Sequence, residues 1–432
     1  MGKRRSSSVL RLTEILLVLI CCSGFSFLMP FRMGMIVLFA LGLISIYIKR
    51  GKLHFTKSNI GTFLLLFVFL MSVGIFSSYD QIQTVKYVVV FCACIILVLV
   101  PNAENFHYDV CDGIESCVKV IAFSIIINLL IPNLYSNYLY FLISRGRASV
   151  GRLNMEINNH VYSGLMGEKG EAAYIMVIAI MIQLSKCIAS KKIEKKDTFW
   201  LCVYFVALLL PAKRVLFVIA VLLCMMYWVF WTRGRKKVVL IGGFGGAACL
   251  GILIVSNIPA FSTLVDRFIA DPGSDTANGR YYLWERAIEM YQEKPIFGYG
   301  FGSFNKYASY KGVILTASHE WESHAHDIYI QVLGEMGIVG LISFILLAGC
   351  GIATFINIYK KKDILERKDL SMLFLGGSIQ ILTLIYGISG NCIYYTNQIL
   401  VYCWGLAIIV YLNKKYSNRC LKINGEERTR QS

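Results

Sequence analysis

Twelve apolar stretches, read as α-helices crossing about 30 Å of hydrocarbon, constrain this chain more than any other feature. They fall at roughly 12–29, 33–48, 60–78, 85–101, 116–131, 171–188, 198–212, 214–231, 237–258, 336–358, 370–390 and 393–412. In lipid each segment must satisfy its own backbone polar groups, and continuous apolar runs of this length do so as helices. Composition agrees: 56% of residues are hydrophobic, 16% are charged and mean hydropathy is +0.61, far from a soluble domain. The expected fold is an all-α polytopic membrane protein with about 12 transmembrane helices.

An even number of crossings puts both termini on one side, and the distribution of lysine and arginine chooses it. With the termini inside, 29 of the 43 basic residues fall on inner segments and 14 on outer ones. The formal charge of +17 therefore reports topology and contact with anionic lipid heads, and it gives no reason to expect nucleic acid. The opening Met1-Gly2-Lys3-Arg4-Arg5 precedes an apolar run followed at once by another, so it reads as an anchor. Most of the 14 cysteines lie inside spans, where Cys behaves as a small apolar residue, and neither long outer loop contains one.

The organisation expected is spans one to five over 1–131, an outer loop at 132–170, and spans six to nine over 171–258. A large outer loop at 259–335 follows, then spans ten to twelve over 336–412 and a cytoplasmic tail at 413–432. Chemistry in such a plan belongs to the two outer loops and the span ends beneath them. The spans carry few charges or proline breaks of the kind that mark transport pathways, which argues against a transporter or flippase.

Within the second loop, Arg280 to Gln292 reads as an amphipathic helix lying along the membrane surface. Arg280, Trp284, Ile288 and Tyr291 fall on one face, and Glu285, Arg286, Glu289 and Glu293 on the other. Arg280 at the first turn is suited to holding a diphosphate with paired donors. The run Pro295 to Phe304 alternates glycine with aromatic or polar residues and reads as a tight turn able to present backbone N–H groups to a substrate. His324 and His326 lack an obvious third partner for a metal, whereas a neutral imidazole can take a proton from an attacking sugar hydroxyl. Lys213 and Arg214 sit just below the outer surface, where charge is costly unless it is partnered or faces a wet cavity. The first loop adds Arg145, Arg147, Arg152, His160 and Glu168.

Together, Arg280 with Trp284, then Pro295, Gly298, Gly300 and Phe304, then His326-Asp327-Ile328-Tyr329 with Glu335 and Gly337, resemble the loop signature of the O-antigen ligase and polysaccharide polymerase superfamily. In that family a histidine, usually followed by asparagine, stands nine residues before a glutamate and eleven before a glycine. His326, Glu335 and Gly337 match, His324 does not, and Asp327 replaces the asparagine. The family's arginine at the start of a central span falls on Arg214, here flanked by Lys213 and Val215. Glycine and then glutamate before an Ala-rich span, here Glu168 with Ala172-Ala173, resembles the polymerase branch, although Lys169-Gly170 stand where proline and serine usually follow.

The resemblance implies an architecture akin to the GT-C glycosyltransferases and glycosyl transfer needing no metal or other cofactor. Transfer would occur on the outer face of the bacterial cytoplasmic membrane, from a glycan on undecaprenyl diphosphate. It casts His326 as general base and Arg214 and Arg280 as diphosphate ligands, with His324, Lys213, Arg147, Arg152, Glu168, Trp284 and Glu335 in supporting or glycan-binding places. Polymerisation of lipid-linked repeat units is the expected reaction. Ligation of a finished glycan to another acceptor is the alternative, and a flippase and a chain-length regulator are the expected partners.

The charge split makes the topology testable. Alkaline phosphatase fused at Ser309 is expected to be active and fused at Lys236 inactive; the opposite pattern would overturn the placement of the site.

Overall fold

The computed structural model describes residues 7–22, 25–49, 58–99, 106–143, 150–190, 194–231, 275–310 and 324–431, and the regular structure among them is helical throughout. Helices α1 (Ser7–Cys21), α2 (Arg32–Lys49), α3 (Asn59–Val73), α4 (Gln81–Leu99) and α5 (Phe106–Leu130) lead to a short α6 (Val150–Asn158). Then come α7 (Lys169–Ser190), α8 (Lys195–Leu209), α9 (Arg214–Trp231), α10 (Asp275–Glu293) and α11 (Phe304–Tyr310). The chain closes with α12 (Ile328–Tyr359), α13 (Arg367–Gly387) and α14 (Thr396–Gln431).

Among the described residues, seven helices are long and apolar enough to cross a membrane: α3 with the turn after it, α4, α5, α7, α12, α13 and the first part of α14. Helix α2 and helix α9 contain shorter apolar stretches. Every expected crossing except 237–258, which lies outside the described residues, coincides at least in part with a helix. The first is shorter than expected: α1 stops at Cys21, and Ser26–Phe31 forms a 3₁₀ turn around Pro30, which has no N–H to continue an α-helix.

Helix α7 is the centre of the bundle. It is apolar on nearly every face, begins Lys169-Gly170-Glu171-Ala172-Ala173, and packs against α5, α8, α9 and α13; such a helix is stable only when covered on every side. The bundle has two chemically different ends. At one, cations meet carboxylates: Lys186 bonds Asp112 at 2.8 Å and also Glu115, and Asp369 accepts from Lys415 at 2.9 Å and Tyr416 at 2.6 Å. The other end gathers residues 74–80, 159–168, 209–213, 294–304 and 324–328 with the loop before α14.

At that second end the glycine-rich turn is clamped onto α12. Helix α12 starts at Ile328, eight residues before the expected crossing, because the Asp327 carboxylate caps it by accepting from Tyr329 N at 2.8 Å and Ile330 N at 3.1 Å. It then breaks at Gly337, whose φ of 64° is left-handed. The N–H groups freed past the break, on Ile338 and Val339, donate to Pro295 O at 2.9 Å and Ile296 O at 3.3 Å. Gly300 N donates to Glu335 O at 2.7 Å, and Gly302 N and Phe304 N donate to the Glu335 carboxyl at 2.7 and 2.9 Å. These N–H groups are consumed by the protein, so the turn does not present them to a substrate as the sequence suggested. Ser303 Oγ to Ser78 Oγ at 2.8 Å and Thr84 Oγ1 to Phe301 O at 2.8 Å fasten the turn to the α3–α4 hairpin.

Helix α10 presents a different face from the one expected. Leu283, Ala287 and Met290 are buried and Trp284 is half-buried, while Ile288 is exposed. The reason is close packing on α12: a Cβ on Gly334 would sit 2.6 Å from Ala287 O, so two small residues set the approach and turn the helix.

The clamp should be intolerant of side chains. A Cβ on Gly298 or Gly337 would lie 2.3 Å from Glu335 O or Ile296 O, at positive φ in both cases. Gly298→Ala and Gly337→Ala are each expected to destabilise by at least about 1–3 kcal/mol, the typical cost of such strain, seen as a lower Tm in detergent. Gly349→Ala, with nothing within 4 Å, should leave Tm unchanged.

Candidate active site

The residues singled out in sequence come from four separate segments, and the fold brings most of them to one place. Arg214 is the first residue of α9, and Lys213 O receives the first helical bond there, from Phe217 N at 3.2 Å. The turn before it holds Ala212 at φ 53° and packs on Val161, with Tyr162 N donating to Leu210 O at 3.1 Å. Glu168 heads α7, accepting from Glu171 N at 2.7 Å through its carboxylate and from Ala172 N through its carbonyl. Arg280 stands in the second turn of α10.

His326 lies between these groups. The charges acting on its ring come from Lys213, Arg280, His324 and Glu168. Burial, followed by the Lys213 and Arg280 cations, pushes the imidazole down to about 3, so it stays neutral at ordinary pH. Arg280 is half-buried and feels Arg214, and burial and that neighbouring cation both hold its guanidinium below the ordinary value. Neither Arg214 nor Arg280 has a carboxylate partner among the described residues. Arg214 at the N-terminus of α9 and the half-buried Arg280 near it could hold an anion between them.

The non-glycine residues with left-handed φ among those described are His160 (52°), Ala212 (53°) and His326 (56°). Each lies in or beside this end of the bundle, and such strain persists only where surrounding structure enforces it. His326 is therefore held outside helix and strand, between the buried Ala325 and the capping residue Asp327.

The remaining expected residues divide. His324 is buried in a structural network: Gln331 Nε2 lies 3.3 Å from its Nδ1 and donates to Glu335 Oε1 at 3.1 Å, while Gln331 Oε1 accepts from Ala325 N at 2.9 Å. Glu335 is fully buried, and its second oxygen accepts from Tyr394 OH at 2.9 Å. Trp284 packs into the small core between α10, α11 and α12, its ring edge-on to Tyr281 at 5.3 Å. Arg152 falls on α6, and Arg147 lies outside the described residues.

Two residues escaped the sequence reading. Asn391, in the loop between α13 and α14, approaches His326 Nδ1 to 3.2 Å with its amide. Tyr386, near the end of α13, acts electrostatically on Arg280 and feels Glu168. The signal for Asn391 was the polar break Ser389-Gly390-Asn391 between two apolar runs; Tyr386, inside an apolar run, left none.

Fold and site together define a helical membrane protein with a half-buried pair of arginines beside a neutral histidine. Residues 198–345 match the family model described as Wzy_C, O-Antigen ligase. The exopolysaccharide production protein ExoQ of Rhizobium meliloti (strain 1021) is 27% identical over 143 residues, which cover 31% of this chain and 29% of that protein. These matches support an O-antigen ligase-like family, and the stretch that the family model matches contains Arg214, Arg280, His326, Glu335 and Gly337.

A neutral His326 has a consequence for pH dependence. Because its value is lowered, the ring remains deprotonated until the pH falls towards about 3. Transfer measured in membrane vesicles should therefore show no acid limb from this group across roughly pH 5 to 8, the window in which an ordinary histidine titrates. A loss of rate centred near 6.5 would contradict the environment described.

Proposed function

We propose that this protein is a glycosyltransferase acting on lipid-linked glycans, polymerising undecaprenyl-diphosphate-linked repeat units at the outer face of the bacterial cytoplasmic membrane. The observation that carries the reading is the half-buried pair Arg214 and Arg280, without carboxylate partners among the described residues, beside a neutral His326. An acceptor hydroxyl attacks the anomeric carbon of the donor glycan and loses its proton to His326. The anomeric C–O bond to phosphate breaks, and the diphosphate leaves with the electron pair. Arg214 and Arg280 stabilise the charge that grows on it, the task many glycosyltransferases give to a divalent metal.

The relative's name, exopolysaccharide production, agrees with a role in building glycan, and the Glu168 segment that resembles the polymerase branch borders the same site. The family description, O-Antigen ligase, favours the second reading, in which a finished glycan passes to another acceptor. A polymerase holds two lipid-linked chains at once, and the 132–170 segment with Arg147 and Arg152 is the available second polar surface. A chain-length regulator and a flippase are the partners this reading implies.

Deleting the gene separates the two readings. A polymerase leaves glycan of one repeat unit, whereas long polymer accumulating on undecaprenyl diphosphate would identify a ligase. His326→Ala should lower transfer by about 10²–10⁴-fold, the range of general-base catalysis, at unchanged protein abundance. Arg280→Lys should also fail, since a point charge cannot reproduce paired guanidinium contacts. Full activity in His326→Ala would remove the base role.

A further inference from the structure

Asn391 is 3% exposed, and its amide meets His326 Nδ1 at 3.2 Å. The loop that carries it is fixed at several points. Tyr394 N donates to Asn391 O at 2.9 Å, closing a turn, and Tyr394 OH donates to Glu335, the residue that also holds the glycine turn. Cys392 Sγ donates to Thr383 O at 3.3 Å, and Tyr87 OH donates to Tyr394 O at 2.9 Å. Among the described residues, nothing else bonds the Asn391 amide, and Oδ1 is without a partner when Nδ2 faces the ring. An amide presents either end after a half-turn, so the imidazole alone selects its orientation.

That orientation decides what His326 can do. With Nδ2 towards the ring, Nδ1 accepts and Nε2 carries the hydrogen, leaving no basic nitrogen for a substrate. With Oδ1 towards the ring, Nδ1–H donates and the Nε2 lone pair is free. We propose that Asn391 is a positioning residue for His326: its amide oxygen accepts from Nδ1–H, fixing the tautomer in which Nε2 takes the acceptor's proton. This rests on the general-base reading above.

The chemistry also explains why an amide suits the place better than the carboxylate of a hydrolase triad. The groups facing His326 are the cations Lys213 and Arg280, with Glu168 and His324. A second carboxylate here would pair with those cations and cancel the positive field a diphosphate needs. A neutral amide orients the ring without spending that field.

The experiment reads the tautomer directly. In full-length protein carrying ¹⁵N-labelled histidine in lipid vesicles, the His326 resonances are those lost in His326→Gln. The expected spectrum shows Nδ1 protonated and Nε2 bare, and Asn391→Ala should mix the two tautomers; an Nε2-protonated ring in the unaltered protein overturns the proposal. With lipid-linked repeat units extracted from a deletion strain as substrate, Asn391→Ala should lower kcat about 10- to 100-fold, the usual effect of losing an orienting partner, with KM little changed. Asn391→Asp should move the acid limb up towards neutral pH. Unchanged kcat in Asn391→Ala while His326→Ala is inactive would refute this role alone; activity in His326→Ala would remove the base reading itself. Should Asn391→Ala fail to accumulate, the spectrum of the unaltered protein decides.

Discussion

The structure at the end of the bundle that carries the candidate site depends on one carboxyl group. Glu335 lies fully buried in α12, and each of its oxygens accepts two hydrogen bonds: Oε1 from Phe304 N and Gln331 Nε2, Oε2 from Gly302 N and Tyr394 OH. These donors come from the glycine turn, from α12 itself and from the loop before α14. A buried carboxyl left unmatched would be strongly destabilising, so the three segments are coupled: releasing any one exposes the group that the others satisfy. Through Gln331 the same network reaches His324, and through Tyr394 it reaches the loop of Asn391. Both sides of His326 are thus positioned by a residue that has no need to touch substrate.

The two ends of the bundle differ in their electrostatics. At the end with the basic loops, Lys186 and Lys415 each reach a carboxylate, as a structural charge in a low-dielectric bundle should. At the other end Arg280 feels the Arg214 cation instead, and burial adds to that repulsion. Such an arrangement works against folding unless an anion completes it. A diphosphate supplies more than one negative charge and several acceptor oxygens, which matches two guanidinium groups and a helix N-terminus.

The helical class and the approximate places of the spans were legible because apolar runs of this length have one stable solution in lipid. The catalytic candidates were legible because arginine and histidine beside a membrane span are expensive there. Sequence reasoning failed where partners were distant along the chain. The face of α10 was misassigned because Ile288 is as apolar as Leu283, and only the approach of Ala287 to Gly334 decides between them. The start of α12 was placed late because Ile328 to Glu335 reads as loop until Asp327 is seen capping it. Asn391 could not be attached to His326 at all, since 65 residues separate them.

The spacing that carried the family resemblance has a physical basis in this fold. Nine residues from His326 to Glu335 is the distance from a pre-helical turn, through the cap, to a buried position two turns into α12. Two residues further, Gly337 takes the left-handed conformation that breaks the helix and frees two N–H groups for Pro295 O and Ile296 O. Glutamate and glycine are thus two halves of one clamp, and the half-buried histidine is the residue that the clamp positions. The replacement of asparagine by Asp327 fits the same account, because the position needs a short oxygen acceptor for Tyr329 N and Ile330 N, and the two residues cap helices about equally well. Of the signature, then, Asp327, Glu335 and Gly337 are explained by folding alone. His326 and the arginines are not, and for that reason the proposed chemistry is assigned to them.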